Sequence, residues 1–193
     1  MSRTASIQRK TNETAITLEI NLDESGEYAL ATGLGFFDHM LSHIAKHGRI
    51  DFRLKATGDL HVDEHHLIED TGICLGQALQ QALGDKRGIE RFGYAFVPMD
   101  EALARTVIDL SGRGYLVFNA EFSREAINGF PLEMTKEFFQ AIASEAKMNL
   151  HIALLYGDNA HHQCEAIFKS FGRALRNAVA LTGSDVPSTK GVL

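Results

Sequence analysis

A chain of 193 residues with 45% hydrophobic content can bury one core, or two small halves sharing one, but hardly two independent domains. A formal net charge of −6 argues against a nucleic-acid or anionic-membrane footprint and leaves room only for a small anion, such as phosphate, on a local Arg/Lys patch. Cys74 and Cys164 form no CxxC pair, the opening "MSRTASIQRKTNETAI" has no apolar run of a signal peptide, and no stretch reaches the roughly 18 apolar residues of a membrane span, so a reduced, cytoplasmic protein is expected.

In chain order, "AITLEINL" alternates Ile16, Leu18, Ile20 and Leu22 with polar neighbours, a strand period. "FFDHMLSHIAKHG" follows with helical spacing and Gly48 as C-cap, then "RIDFRL" alternates Ile50, Phe52 and Leu54, and "HHLIEDTGICLGQALQQALG" reads as a long helix stopped at Gly84. The second half opens on two alternating runs in "RTVIDLSGRGYLVFNAEF", broken at "SGRG", and then repeats helix, strand and helix. The order is β-β-α-β-α twice. It predicts an α+β sandwich, sheets on one side and helices on the other, in a single domain of two halves, about 1–90 and 91–193.

The duplication is visible residue by residue. His65, His66, Glu69, Gly76, Ala78, Leu79 and Ala82 recur as His161, His162, Glu165, Gly172, Ala174, Leu175 and Ala178, so each half is one unit that cannot close its core alone. Both copies begin with HHxxE. Successive helical residues differ by about 100°, so the paired histidines of one motif cannot easily serve one metal. The i, i+4 pairs His65/Glu69 and His161/Glu165 each share a face and can offer nitrogen and oxygen to one ion, while His66 and His162 point elsewhere. The symmetry suggests a swap, each ion taking His and Glu from one motif and the odd histidine from the other. The bland alternative, two solvated polar faces, gives no reason for Glu to recur at that spacing.

His39 in "FFDHML" is a plausible further ligand; His43 lies on the same face and His47 a turn beyond, so either could be the ligand or an outer partner of it, while His61 and His151 are placed as hydrogen-bonding groups. Two other classes would use such residues. A binuclear metallohydrolase would bridge its ions with Asp or water and release phosphate. A ferritin-type storage shell would need four long helices, which strands and glycines interrupt here.

With "FFDHML", "ATGDLHVDEHHLIED", "RFGYAFVPMDEAL", "DLSGRGYL", "LHIALLYGDNAHHQCEAIFKSFGRALR" and "PSTKGVL", the chain resembles the imidazoleglycerol-phosphate dehydratases of histidine biosynthesis over essentially its whole length. The resemblance implies a duplicated α+β fold, a monofunctional hydro-lyase, two Mn²⁺ ions per active site, a small phosphorylated imidazole as substrate, and a homo-oligomer of twenty-four chains with sites between subunits. It implies one ion on His39, His66, His161 and Glu165. The other would rest on His65, Glu69, His162 and Glu137, the last standing where the family often has His. The implied phosphate-holding residues are Arg91, Arg113, Lys169, Ser188 and Lys190. Glu13 is the implied substrate-contacting acid–base group, with Glu165 as the alternative and Asp100 and Glu101 as further carboxylates within reach.

Overall fold

The computed structural model describes residues 3–193. The first half runs β1 (Thr4–Lys10), β2 (Thr14–Asn21), β3 (Tyr28–Ala31), α1 (Gly35–Gly48), β4 (Asp51–Gly58) and α2 (His65–Leu83). The second runs β5 (Phe92–Met99), β6 (Ala102–Asp109), β7 (Tyr115–Asn119), a short hairpin of β8 (Ala126–Ile127) and β9 (Phe130–Pro131), then α3 (Met134–Glu145), β10 (Asn149–Tyr156) and α4 (Ala160–Ala178). The duplicated plan is present, with a third strand before the first helix of each half.

The two sheets have the same topology. The first is ordered β1-β2-β4-β3 and the second β5-β6-β10-β7; in each, the last strand named runs parallel to its neighbour and the other pairs are antiparallel. Register follows the apolar period: Leu18 faces Leu54 and Ile20 faces Phe52, and all four are buried.

The helices lie between the sheets, not to one side of them. Helix α2 packs on β1 and β2, α4 packs on β5 and β6, and the two halves meet through α2 on α3 and α1 on α4. The reason is the number of apolar faces. Each sheet buries one face, and each helix carries enough apolar surface to meet its own sheet and a helix of the other half, so a single core runs through both. Its centre holds Phe37, Phe130, Phe138, Phe139, Phe168 and Phe171, with neighbouring rings 5.0–5.6 Å apart.

The glycines of the repeat sit at these crossings. A Cβ on Gly76 would stand 2.6 Å from Glu145 Cβ, and one on Gly172 would stand 3.1 Å from Gly48 N and from the carbonyl oxygens of His43 and Ile44. Gly48 belongs to this contact and is not the C-cap; the left-handed position falls to Arg49, at φ 52°. Gly84 does cap α2, at φ 54°. Among the described residues no helix is long and apolar enough to cross a membrane.

Candidate metal centre and substrate site

The second HHxxE motif opens α4, where the Asn159 side chain caps the helix by accepting the N–H groups of His161 and His162. The α1–α4 crossing brings His39 and His43 against this turn. Three imidazole nitrogens therefore converge on one buried carboxylate oxygen: Nε2 of His161, His39 and His43 lie 3.1, 3.2 and 3.4 Å from Glu165 Oε2. The other oxygen, Oε1, receives the Lys169 ammonium. Burial tends to raise the Glu165 carboxyl, but the Lys169 hydrogen bond and charge, with the His43 and His161 imidazoles beside it, hold it down to about 2. Burial pushes His43 down to about 4 against the opposing pull of Glu165, so its ring is neutral and free to act as a ligand.

The first motif is arranged differently within the chain. His65 Nε2 lies 3.9 Å from Glu69 Oε2 across an i, i+4 turn. His66 turns to Asp59, whose two oxygens lie 3.1 and 3.2 Å from its Nδ1, with Glu13 Oε2 at 3.8 Å. The Asp59 hydrogen bond raises the His66 pKa. In the second motif His162 Nδ1 sits 2.7 Å from Glu101 Oε2, a hydrogen bond that raises the imidazole and, with the N–H of Asn159, draws the Glu101 carboxyl down to about 2. Asp100 Oδ2 is 3.7 Å from the other nitrogen of that ring, beyond hydrogen-bond reach.

Of the residues singled out from sequence, one chain thus gathers His39, His43 and Glu165, with His161 on the same carboxylate oxygen, and keeps His66 with Asp59 and Glu13. Glu137 lies in the first turn of α3 and lines an open cavity of about 910 Å³ with Phe118, Phe122, Arg124, Glu133 and Lys136. His61 and His151 are exposed, and His47 stacks on His43 with ring centroids 5.7 Å apart.

The anion-binding candidates divide. Lys169 stands in the Glu165 cluster, 3.4 Å from Met99 Sδ. Arg91 is engaged by Asp109 at 2.7 Å and donates to the Pro187 carbonyl at 2.8 Å, which ties it to the segment bearing Ser188 and the exposed Lys190. Arg113 is exposed in the turn after β6, beside Gly112, whose added Cβ would meet the Leu193 carbonyl carbon at 2.8 Å. These four residues share one end of the second sheet. Asp100, Glu101 and the start of α4 occupy the other end.

Sequence reasoning missed Asp59 entirely. The only local signal was the "GD" that closes a strand in both halves, as Gly58–Asp59 and Gly157–Asp158.

Solved structures share this fold. The imidazoleglycerol-phosphate dehydratase of Staphylococcus aureus superposes with a TM-score of 0.84 at 40% identity, over 93% of this chain and 99% of that one. The enzyme of Pyrococcus furiosus, solved in complex with (S)-C348, gives 0.83 at 41% identity, over 97% and 100%. The family profile "Imidazoleglycerol-phosphate dehydratase" matches residues 32–175. Relatives of that name in Lacticaseibacillus casei and Herminiimonas arsenicoxydans are 58% and 54% identical, over 99% and 100% of this chain and 100% and 98% of theirs. The chain is a hydro-lyase by this kinship. It belongs to the imidazoleglycerol-phosphate dehydratase family.

Proposed function

We propose that this chain, as one domain of two pseudo-equivalent halves, converts imidazole glycerol phosphate to imidazole acetol phosphate and water in the cytoplasmic synthesis of histidine. The observation that carries the metal-dependent form of this reading is the convergence of the His39, His43 and His161 nitrogens on Glu165 Oε2, at 3.1–3.4 Å. The ligand atoms of His39, His43 and Glu165 all lie within 4.8 Å of one another, close enough to address one divalent ion, with His161 beside the same carboxylate oxygen. Imidazole and carboxylate donors suit Mn²⁺ among several divalent metals.

Two Mn²⁺ ions would be held per active site, one by His39, His66, His161 and Glu165, the other by His65, Glu69, His162 and Glu137. Bound there, they would draw charge from the substrate's imidazole and ease loss of the ring N–H proton. The chain's own groups do the rest. The hydroxyl next to the ring leaves as water with the proton that the ring gives up, and Glu13, which stands beside His66, takes the proton from the carbon bearing the second hydroxyl. The enol so formed receives that proton from Glu13 at the ring-adjacent carbon while its own hydroxyl proton restores the ring N–H, which leaves the ketone. Glu165 is the second choice for the base, because Lys169 and three imidazoles already engage its oxygens.

The phosphate would be anchored by Arg91, Arg113, Lys169, Ser188 and Lys190 through charge-assisted hydrogen bonds. Within one chain Arg91 precedes β5 and Glu101 follows it, so the whole eight-residue strand, roughly 25 Å at about 3.3 Å per residue, separates the main anion end from the histidine end. A substrate a few bonds long cannot bridge that span. This favours an active site completed by a neighbouring chain; the number of chains, twenty-four, is what the family resemblance implies.

The test is metal-depleted protein titrated with Mn²⁺ and assayed in the ultraviolet for the ketone, with inorganic phosphate measured in parallel. Mn²⁺-dependent ketone formation without phosphate release is expected. Phosphate release would point to a metallohydrolase, and full activity without metal would remove the ions from the reaction.

A further inference from the structure

We infer that Glu101 is a positioning residue for His162: its carboxylate takes the Nδ1–H of the ring and so leaves Nε2 unprotonated and turned outward as a metal-binding nitrogen. This rests on the reading that His162 is a ligand.

Three observations carry it. The first is the geometry of Glu101 itself. It stands in the tight turn between β5 and β6, and its two oxygens have separate tasks: Oε1 accepts the backbone N–H groups of Asn159 at 2.8 Å and Asp158 at 3.2 Å, while Oε2 faces His162 Nδ1 at 2.7 Å. The carboxylate is therefore fixed to the loop that opens α4 and aimed at the ring. An ionised carboxylate can only accept, so the nitrogen it faces carries the proton; in the neutral ring the other nitrogen then keeps its lone pair, the one tautomer that can ligate through Nε2.

The second is the twin arrangement. The second histidine of the first motif, His66, also presents Nδ1 to carboxylate oxygens, those of Asp59 at 3.1 and 3.2 Å, with Glu13 at 3.8 Å. Glu13 and Glu101 both immediately precede the second strand of their half. Third, His161 does the reverse, meeting the carboxylate of its own motif through Nε2 at 3.1 Å. In each motif the first histidine turns Nε2 toward the motif's own glutamate, at 3.1 Å in the second motif and 3.9 Å in the first, and the second histidine is held through Nδ1.

A purely structural role, tying the loop before α4, predicts something different for Glu101→Gln. The amide oxygen stays with the two backbone donors, because the NH₂ group there would oppose both. The NH₂ then faces His162 Nδ1, which must accept, and the proton moves to Nε2, where it blocks ligation. Loop and fold are kept while the ligand is lost.

The experiment titrates Mn²⁺ into metal-depleted protein and reads free Mn²⁺ by electron paramagnetic resonance, for wild type, Glu101→Gln, His162→Ala and the double variant. Glu101→Gln is expected to keep its thermal midpoint and to lose about 10–100-fold in affinity for one class of Mn²⁺ site. His162→Ala should lose the same class, and the double variant should be no weaker than His162→Ala alone. If His162→Ala binds Mn²⁺ like wild type, the ligand reading fails. If His162→Ala weakens binding while Glu101→Gln does not, or if the two losses add, the positioning inference fails. Should Glu101→Gln not fold, the nitrogen-15 spectrum of sedimented, metal-free wild-type protein decides, with the His162 signal assigned by its loss in His162→Ala. A protonated Nε2 there overturns the inference.

Discussion

Replacing Gly76 by Ala puts the duplicated architecture under direct strain. The new Cβ would lie 2.6 Å from Glu145 Cβ, 3.0 Å from the Ile142 carbonyl oxygen and 3.1 Å from Ala146 N. Carbon atoms pack at about 3.5–4.0 Å, so α2 and α3 must separate by roughly 1 Å. Overpacking of this kind costs about 1–3 kcal/mol, against a gain of about 1 kcal/mol for alanine over glycine in a helix interior. A net loss of up to about 2 kcal/mol remains. For a chain of this size that lowers the thermal midpoint by up to about 8 °C. The twin substitution Gly172→Ala meets only 3.1 Å contacts with Gly48 N and the His43 and Ile44 oxygens, which a shift of a few tenths of an ångström relieves, so its midpoint should stay within about 3 °C of wild type. Circular dichroism melts at matched protein concentration measure both. A higher midpoint for Gly76→Ala, or a larger loss for Gly172→Ala than for Gly76→Ala, would refute the account of the crossings.

Two further outcomes are expected. Glu137→Ala should lose or greatly weaken one of two Mn²⁺ ions per chain while Glu137→His retains it, as read by metal analysis after desalting; two ions held by the alanine protein would remove Glu137 from the site. Burial pushes the Cys74 thiol up to about 11 and the Cys164 thiol to about 12, and only thiolate reacts, so iodoacetamide should label neither between about pH 7 and 9 in the native protein and both in guanidinium. Rapid native labelling of either would contradict their burial.

Much of the fold was legible because its signals are local. The alternation of Ile16, Leu18 and Ile20 marks β2, the helical spacing from Phe36 to His47 marks α1, and the repeated glycines and alanines mark α2 and α4 as copies. Strand β5 was not legible. It turns Phe92, Tyr94 and Phe96 outward and buries Gly93 and Ala95, the reverse of the usual pattern, because α4 crosses so closely that a Cβ on Gly93 would stand 2.0 Å from the Ala174 carbonyl oxygen. Gly48 misled for the same kind of reason: it is glycine for the sake of a neighbouring helix, and the left-handed turn fell to Arg49.

The candidate site divides along the same line. The pairing of His161 with Glu165 could be read from the sequence alone, since a helix puts i and i+4 on one face whatever surrounds it. That His43 joins His39 at Glu165, that Lys169 neutralises the carboxylate's other oxygen, and that Asp59 and Glu101 stand behind His66 and His162 were decided only by the tertiary structure. These contacts join residues from different elements, and their distances depend on how closely helices and sheets pack, a quantity set by the volumes of buried side chains throughout the core and not by the spacing of any motif.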